Sequence, residues 1–137
     1  MTTLHLERRF DAPSGQVFDA WIKPEIAGRW LFTAPGSESH STDLDARAGG
    51  RWTVVDRREG VDYTALGEYL EIDRPRRLAF TFGMPQFSPE FCQVTIEIVP
   101  SGEGARLTLT QNPLPEDAVE PLRKGWNDMF DQLSALL

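Results

Sequence analysis

From residue 119 to residue 137 apolar side chains recur every three or four positions: Val119, Leu122, Trp126, Met129, Phe130, Leu133 and Leu137. That spacing draws one apolar stripe along a single long helix. Such a stripe must be buried against another element, and what precedes it in the chain reads as strands. This pairing constrains the fold more than any other feature. Glu116, Asp117 and Glu120 lie at the helix start, where acidic groups suit its dipole. Pro121 lacks an amide hydrogen, so it is expected in the first turn or at a break just before the helix.

The strands are read from period-two alternation. Residues 3–10 place Leu4, Leu6 and Phe10 on one side, a side that Arg8 shares. Ser14 reads as a cap for a short helix carrying Val17, Phe18 and Trp21. Pro24 suits the first turn of a second one ending near Trp30. Residues 32–42 are rich in Gly, Pro and Ser and read as a loop. Strands are expected at 42–46, 51–57, 61–72, 76–83, 91–99 and 105–112, with a kink at Gly67 and turns at Gly49-Gly50, Glu59-Gly60, Asp73-Arg74-Pro75 and Ser101–Gly104. Leu78, Phe80 and Phe82 share a face, as do Cys92, Val94, Ile96 and Ile98. Hairpin spacing implies antiparallel pairing.

With 137 residues, no internal repeat and no linker-like stretch, the expectation is one domain over residues 1–137. The order is strand, two short helices, a run of strands and one long helix, which makes an α+β fold. Its apolar sheet face needs the helix as a cover. A strongly twisted sheet wrapped around one helix leaves space between them. Four Trp and eight Phe are available to fill or line that space.

Charge and motifs exclude several classes. A net charge of −7 opposes nucleic-acid binding and attachment to an anionic membrane surface. No apolar run reaches the ~20 residues of a membrane span. The opening MTTLHLERRF lacks a basic region followed by an apolar one, and Cys92 has no partner for a disulfide, so a cytoplasmic location is expected. His5 and His40 do not have the spacing of metal ligands, and no metal or cofactor is expected. No nucleophile elbow or phosphate loop is present, and Cys92 reads as a buried small hydrophobe.

The stretches ERRFDAPSGQVFDAWIKPEIAGRW, GGRWTVVDRREGVDYTALGEYLEIDRPRRLAFTF and GWNDMFDQL resemble the START-like (SRPBCC) superfamily. Within it they are similar to the branch of homologues of the activator of the heat-shock-90 chaperone ATPase. Relatives often carry paired tryptophans followed by proline where this chain reads Trp30-Leu31-Phe32-Thr33. The resemblance implies a helix-grip (START/Bet v-like) fold with a cavity between sheet and C-terminal helix. It also implies either a module binding a hydrophobic or amphipathic small molecule, a co-chaperone-like protein-interaction domain of the stress response, or a cavity enzyme of the polyketide cyclase kind. The expected ligand-facing residues are Trp30, Phe32, Trp52, Val54, Asp56, Phe80, Phe82, Phe91, Trp126, Met129 and Phe130. Arg8, Asp56 and Gln111 share apolar strand faces and are either head-group contacts or, as the plainer reading, strand-end residues near solvent. Arg57-Arg58 and Arg74/Arg76/Arg77 are basic clusters at turns and read as solvated strand ends.

Overall fold

Alternating burial carries nearly half of the chain into strands. The computed structural model describes residues 1–34 and 36–137. Pro35, part of the loop expected at 32–42, lies outside the described residues. β1 (Thr2–Phe10) is followed by α1 (Ser14–Ile22) and α2 (Pro24–Ala27). Then come β2 (Ser39–Leu44), β3 (Arg51–Arg58), β4 (Val61–Asp73), β5 (Arg77–Phe82), β6 (Cys92–Ser101), β7 (Gly104–Leu114) and α3 (Glu116–Leu136). Among the described residues the seven strands form one curved antiparallel sheet in the order β1-β7-β6-β5-β4-β3-β2. This is the helix-grip arrangement expected from the sequence.

The turns follow local chemistry. Glu59 and Gly60 both adopt positive φ (50° and 78°), the conformation of a two-residue hairpin turn whose twist matches that of its strands. The Glu38 carboxylate accepts a hydrogen bond from the Gly60 amide at 2.7 Å. Gly67 marks a close approach: a Cβ there would lie 1.8 Å from the Thr81 carbonyl oxygen. Up to Glu68, β4 pairs with β3; from Tyr69 it pairs with β5, with an irregularity between Tyr69 and Glu71. The sheet turns over this segment.

Several boundaries differ from expectation. β2 starts at Ser39, inside the expected loop, because its pairing with β3 runs from Ser39 opposite Arg57. α2 stops at Ala27, and hydrogen-bonded turns carry the chain on to Leu31. Pro13 occupies the N-cap of α1, so Ser14 is its first helical residue and its hydroxyl caps nothing. Pro121 is the sixth residue of α3, inside the helix rather than in its first turn.

The core lies where α1, the chain after α2, and α3 meet the concave face of the sheet. Trp21 packs edge-on against Trp30 with ring centroids 4.7 Å apart, and Phe130 meets Phe10 at 5.8 Å. The Trp30 indole donates to the Ala20 carbonyl at 2.9 Å, so the buried N–H is satisfied. Arg8 does share the inward side of β1. Its guanidinium leaves the core to reach α3, donating to Asp131 at 2.7 Å and Asn127 at 3.3 Å beside the Phe130 ring. Among the described residues no helix is long and apolar enough to cross a membrane.

Candidate functional site

The concave face is not filled evenly. Beside α3 it opens into a half-open cavity of about 290 Å³. α3 contributes Leu122, Gly125, Trp126, Asp128, Met129 and Gln132. The chain after α2 contributes Phe32, Thr33 and Ala34; the sheet contributes Arg58, Tyr63, Ala65 and Phe82, with Met84 just beyond β5. The walls are mostly apolar, and a Cβ at Gly125 would touch nothing within 4 Å.

Of the expected ligand-facing residues, the fold brings Phe32, Phe82, Trp126 and Met129 together around this space. Trp52 and Phe80 lie behind it and, with Phe32, border a void of only about 10 Å³. That is room for one water at most. Trp30, Val54 and Phe130 are buried packing residues and line neither space. Phe91 is a correction. It is 45% exposed, and its ring covers Gly83, 2.7 Å from where a Cβ would stand. Its neighbour Cys92 shares the inward parity of β6, so strict alternation sends Phe91 to the opposite face.

Asp56 and Gln111 are corrections of another kind. Neither lies near solvent: they are 1% and 0% exposed. The Gln111 amide oxygen accepts from the Trp126 indole N–H at 2.8 Å, and its amide nitrogen donates to the Cys92 sulfur at 3.2 Å. Gln111 thus fixes one wall of the cavity from behind. Cys92 is half-buried rather than fully buried, and burial pushes its thiol above the ordinary range, which disfavours a reactive thiolate. Asp56 Oδ2 accepts from Arg58 Nε at 2.7 Å, while the buried Oδ1 has no partner among the described residues.

Arg58, expected at a solvated strand end, instead lines the cavity. Its guanidinium stands 4.5 Å from the centroid of the Tyr63 ring. The signal for it was present: Arg58 has the parity of Trp52, Val54 and Asp56 on β3. Tyr63 then follows from the register, opposite Asp56.

Phe32 has the most unusual backbone of the site. Its φ is 55°, a conformation rare for a bulky side chain. Its amide points at the Met129 sulfur, 3.1 Å away. The ring stacks on Trp52 at 5.3 Å and also touches Phe82 and Trp126. It therefore stands between the cavity and the small void behind it. Elsewhere, among the described residues, no group of three or more His, Cys, Asp and Glu is placed to hold a metal.

Comparison with known proteins agrees with this architecture. Protein CV1439 from Chromobacterium violaceum has a crystal structure similar to this one, with a TM-score of 0.85 and 28% identity over 98% of this chain and 95% of that one. Protein Ms6760 from Mycobacterium smegmatis has a TM-score of 0.80 at 22% identity over 98% and 89%. CalU16 from Micromonospora echinospora has 0.72 at 24% over 97% and 74%. These last two speak to the fold alone. No curated protein matches. The family model described as "Activator of Hsp90 ATPase homolog 1-like protein" matches residues 11–137. With that match over nearly all of its length, and the helix-grip architecture beneath it, the chain belongs to the activator of Hsp90 ATPase homolog 1-like family of the START-like superfamily.

Proposed function

We propose that this protein binds a small hydrophobic or amphipathic molecule in the cavity between the sheet and α3. One observation carries the reading: a largely apolar space of about 290 Å³ beside an otherwise close-packed aromatic core. Its size lies at the lower edge of the ~300–1,000 Å³ usual for small-molecule sites. Its walls are Phe32, Phe82, Met84, Leu122, Trp126 and Met129, which suit an apolar body of one or two rings. A half-open apolar space of this size, walled by packed aromatic rings, supports a ligand-holding role.

The experiment is calorimetric unfolding with 2-methylnaphthalene, on the wild type and on Gly125→Phe. A ligand that binds only the folded state raises the melting temperature. The wild type is expected to gain stability with probe concentration. Gly125→Phe is expected to fold but respond weakly, because a ring at position 125 has the cavity mouth to occupy. If neither 2-methylnaphthalene nor its carboxylate counterpart 2-naphthoate stabilises the wild type, the cavity reading fails. The co-chaperone-like surface would then take its place.

A further inference from the structure

Arg58 supplies the cavity wall with a cation whose hydrogen-bonding capacity is only partly used. Its Nε is committed to the buried Asp56, and Tyr63 lies against the guanidinium face. A guanidinium carries five N–H donors in a planar fork. Among the described residues neither Nη1 nor Nη2 has a hydrogen-bond acceptor, although the side chain borders the cavity. The other charge in the lining, Asp128, is already met by Lys124 at 2.8 Å.

We propose that Arg58 is the head-group receptor of this cavity, and that the ligand is an apolar body bearing a carboxylate or an equivalent planar anionic group. This rests on the cavity reading above and narrows its ligand class. The chemistry follows from how the guanidinium is held. Asp56 takes the Nε edge and Tyr63 one face, which fixes the plane of the fork and leaves its Nη edge for a two-oxygen acceptor. Arg–carboxylate pairs of this form are directional as well as charge-assisted. Asp56 is the positioning residue: it is buried, and it touches Arg58 rather than the cavity. The overall charge of −7 repels anions at long range. That repulsion is screened beyond about 8 Å at physiological ionic strength, so the contact at Arg58 decides.

The test compares three probes of one shape by titration calorimetry: 2-naphthoate, 2-methylnaphthalene and 2-naphthylmethylammonium. The wild type should bind 2-naphthoate about tenfold more tightly than 2-methylnaphthalene, the scale of one charge-assisted bidentate contact. Arg58→Met should weaken 2-naphthoate by about the same factor and alter 2-methylnaphthalene less than about twofold. Because Arg58→Met strands the buried Asp56, the double variant Asp56→Asn/Arg58→Met is measured beside it and should show the same selective loss. Equal wild-type affinity for 2-naphthoate and 2-methylnaphthalene overturns the head-group assignment and leaves the cavity reading standing. Tightest binding of the ammonium probe also overturns it, making the carboxylates the receptor. No binding of any probe removes the cavity reading, and this inference with it.

Discussion

Met129 and Phe130 are neighbours on one helix, yet they face two different interiors. Phe130 is wholly buried, with the rings of Phe10, Trp21, Trp30 and Trp126 around it at centroid distances between 5.8 and 6.3 Å. Met129 borders the open cavity with Leu122 and Gly125. A continuous apolar stripe in sequence is thus split lengthwise in space. One flank joins α1 and β1 into a dense core; the other flank leaves room. The two jobs of the helix, holding the fold and bordering a space, fall to different side chains and can be tested separately.

The largest test of that split is a pair of alanine substitutions. Phe130→Ala should cost about 3–5 kcal/mol, as for a large ring removed from a packed core. Met129→Ala should cost clearly less, about 1–2 kcal/mol, because part of its surroundings is already open and a void beside it adds little. Equal losses in denaturant unfolding would break the comparison. Next comes Gln111→Leu, which removes the acceptor of the Trp126 indole while keeping bulk. It strands a buried N–H at a cost of about 1–3 kcal/mol. If Gln111 holds the shared wall, tryptophan fluorescence should change with stability; an unchanged spectrum would show that packing alone holds Trp126.

Two smaller effects sharpen the same contrast. Gly125→Ala on the open flank should stabilise by up to about 1 kcal/mol, the helix-propensity gain of alanine over glycine, since the new methyl meets nothing. A loss of stability there would mean the flank is closed in solution. On the packed flank, Arg74 bonds Asp19 of α1 at 2.8 and 3.0 Å and holds its carboxyl below the ordinary value of 3.8. A depressed folded value means the pair's stability is present above the unfolded pKa and is lost as pH falls through the folded one. Asp19→Asn should therefore cost less than about 1 kcal/mol at pH 7, given the exposed arginine. The gap from the wild type should close in strong acid. A gap that persists after the Asp19 carboxyl has titrated would assign the loss to packing.

Strand parity and the helical stripe were legible because each depends only on residue spacing. They located all seven strands, the long helix and the inward faces of β1, β3 and β7. What spacing could not give was depth. Asp56 and Gln111 sit near strand ends in sequence, yet both are buried, Gln111 against Trp126 of α3 and Asp56 against Arg58, and that burial is a tertiary fact. For Arg58 composition misleads, since two adjacent arginines before a turn suggest solvent. Its parity said otherwise. For Phe91 aromatic character suggests the site, against the parity of Cys92 beside it. In both cases the simpler geometric rule outperformed residue type. Phe32 was legible as an aromatic of the site but its positive φ was not, because that conformation goes with tertiary contacts to Trp52, Phe82, Trp126 and Met129.

That backbone has a consequence for capacity. The Phe32 ring is the partition between a space of about 290 Å³ and one of about 10 Å³. The partition is held in place against an intrinsic backbone preference rather than with it. Glycine at this position would relax the backbone and delete the wall at once, whereas alanine would delete the wall and keep the strain. Comparing the two separates the conformational cost from the lost contacts, a division few cavity walls permit. Bore and backbone energy are here set by the same residue, so the largest body the pocket admits is governed by a local torsion as much as by the volume of the surrounding side chains.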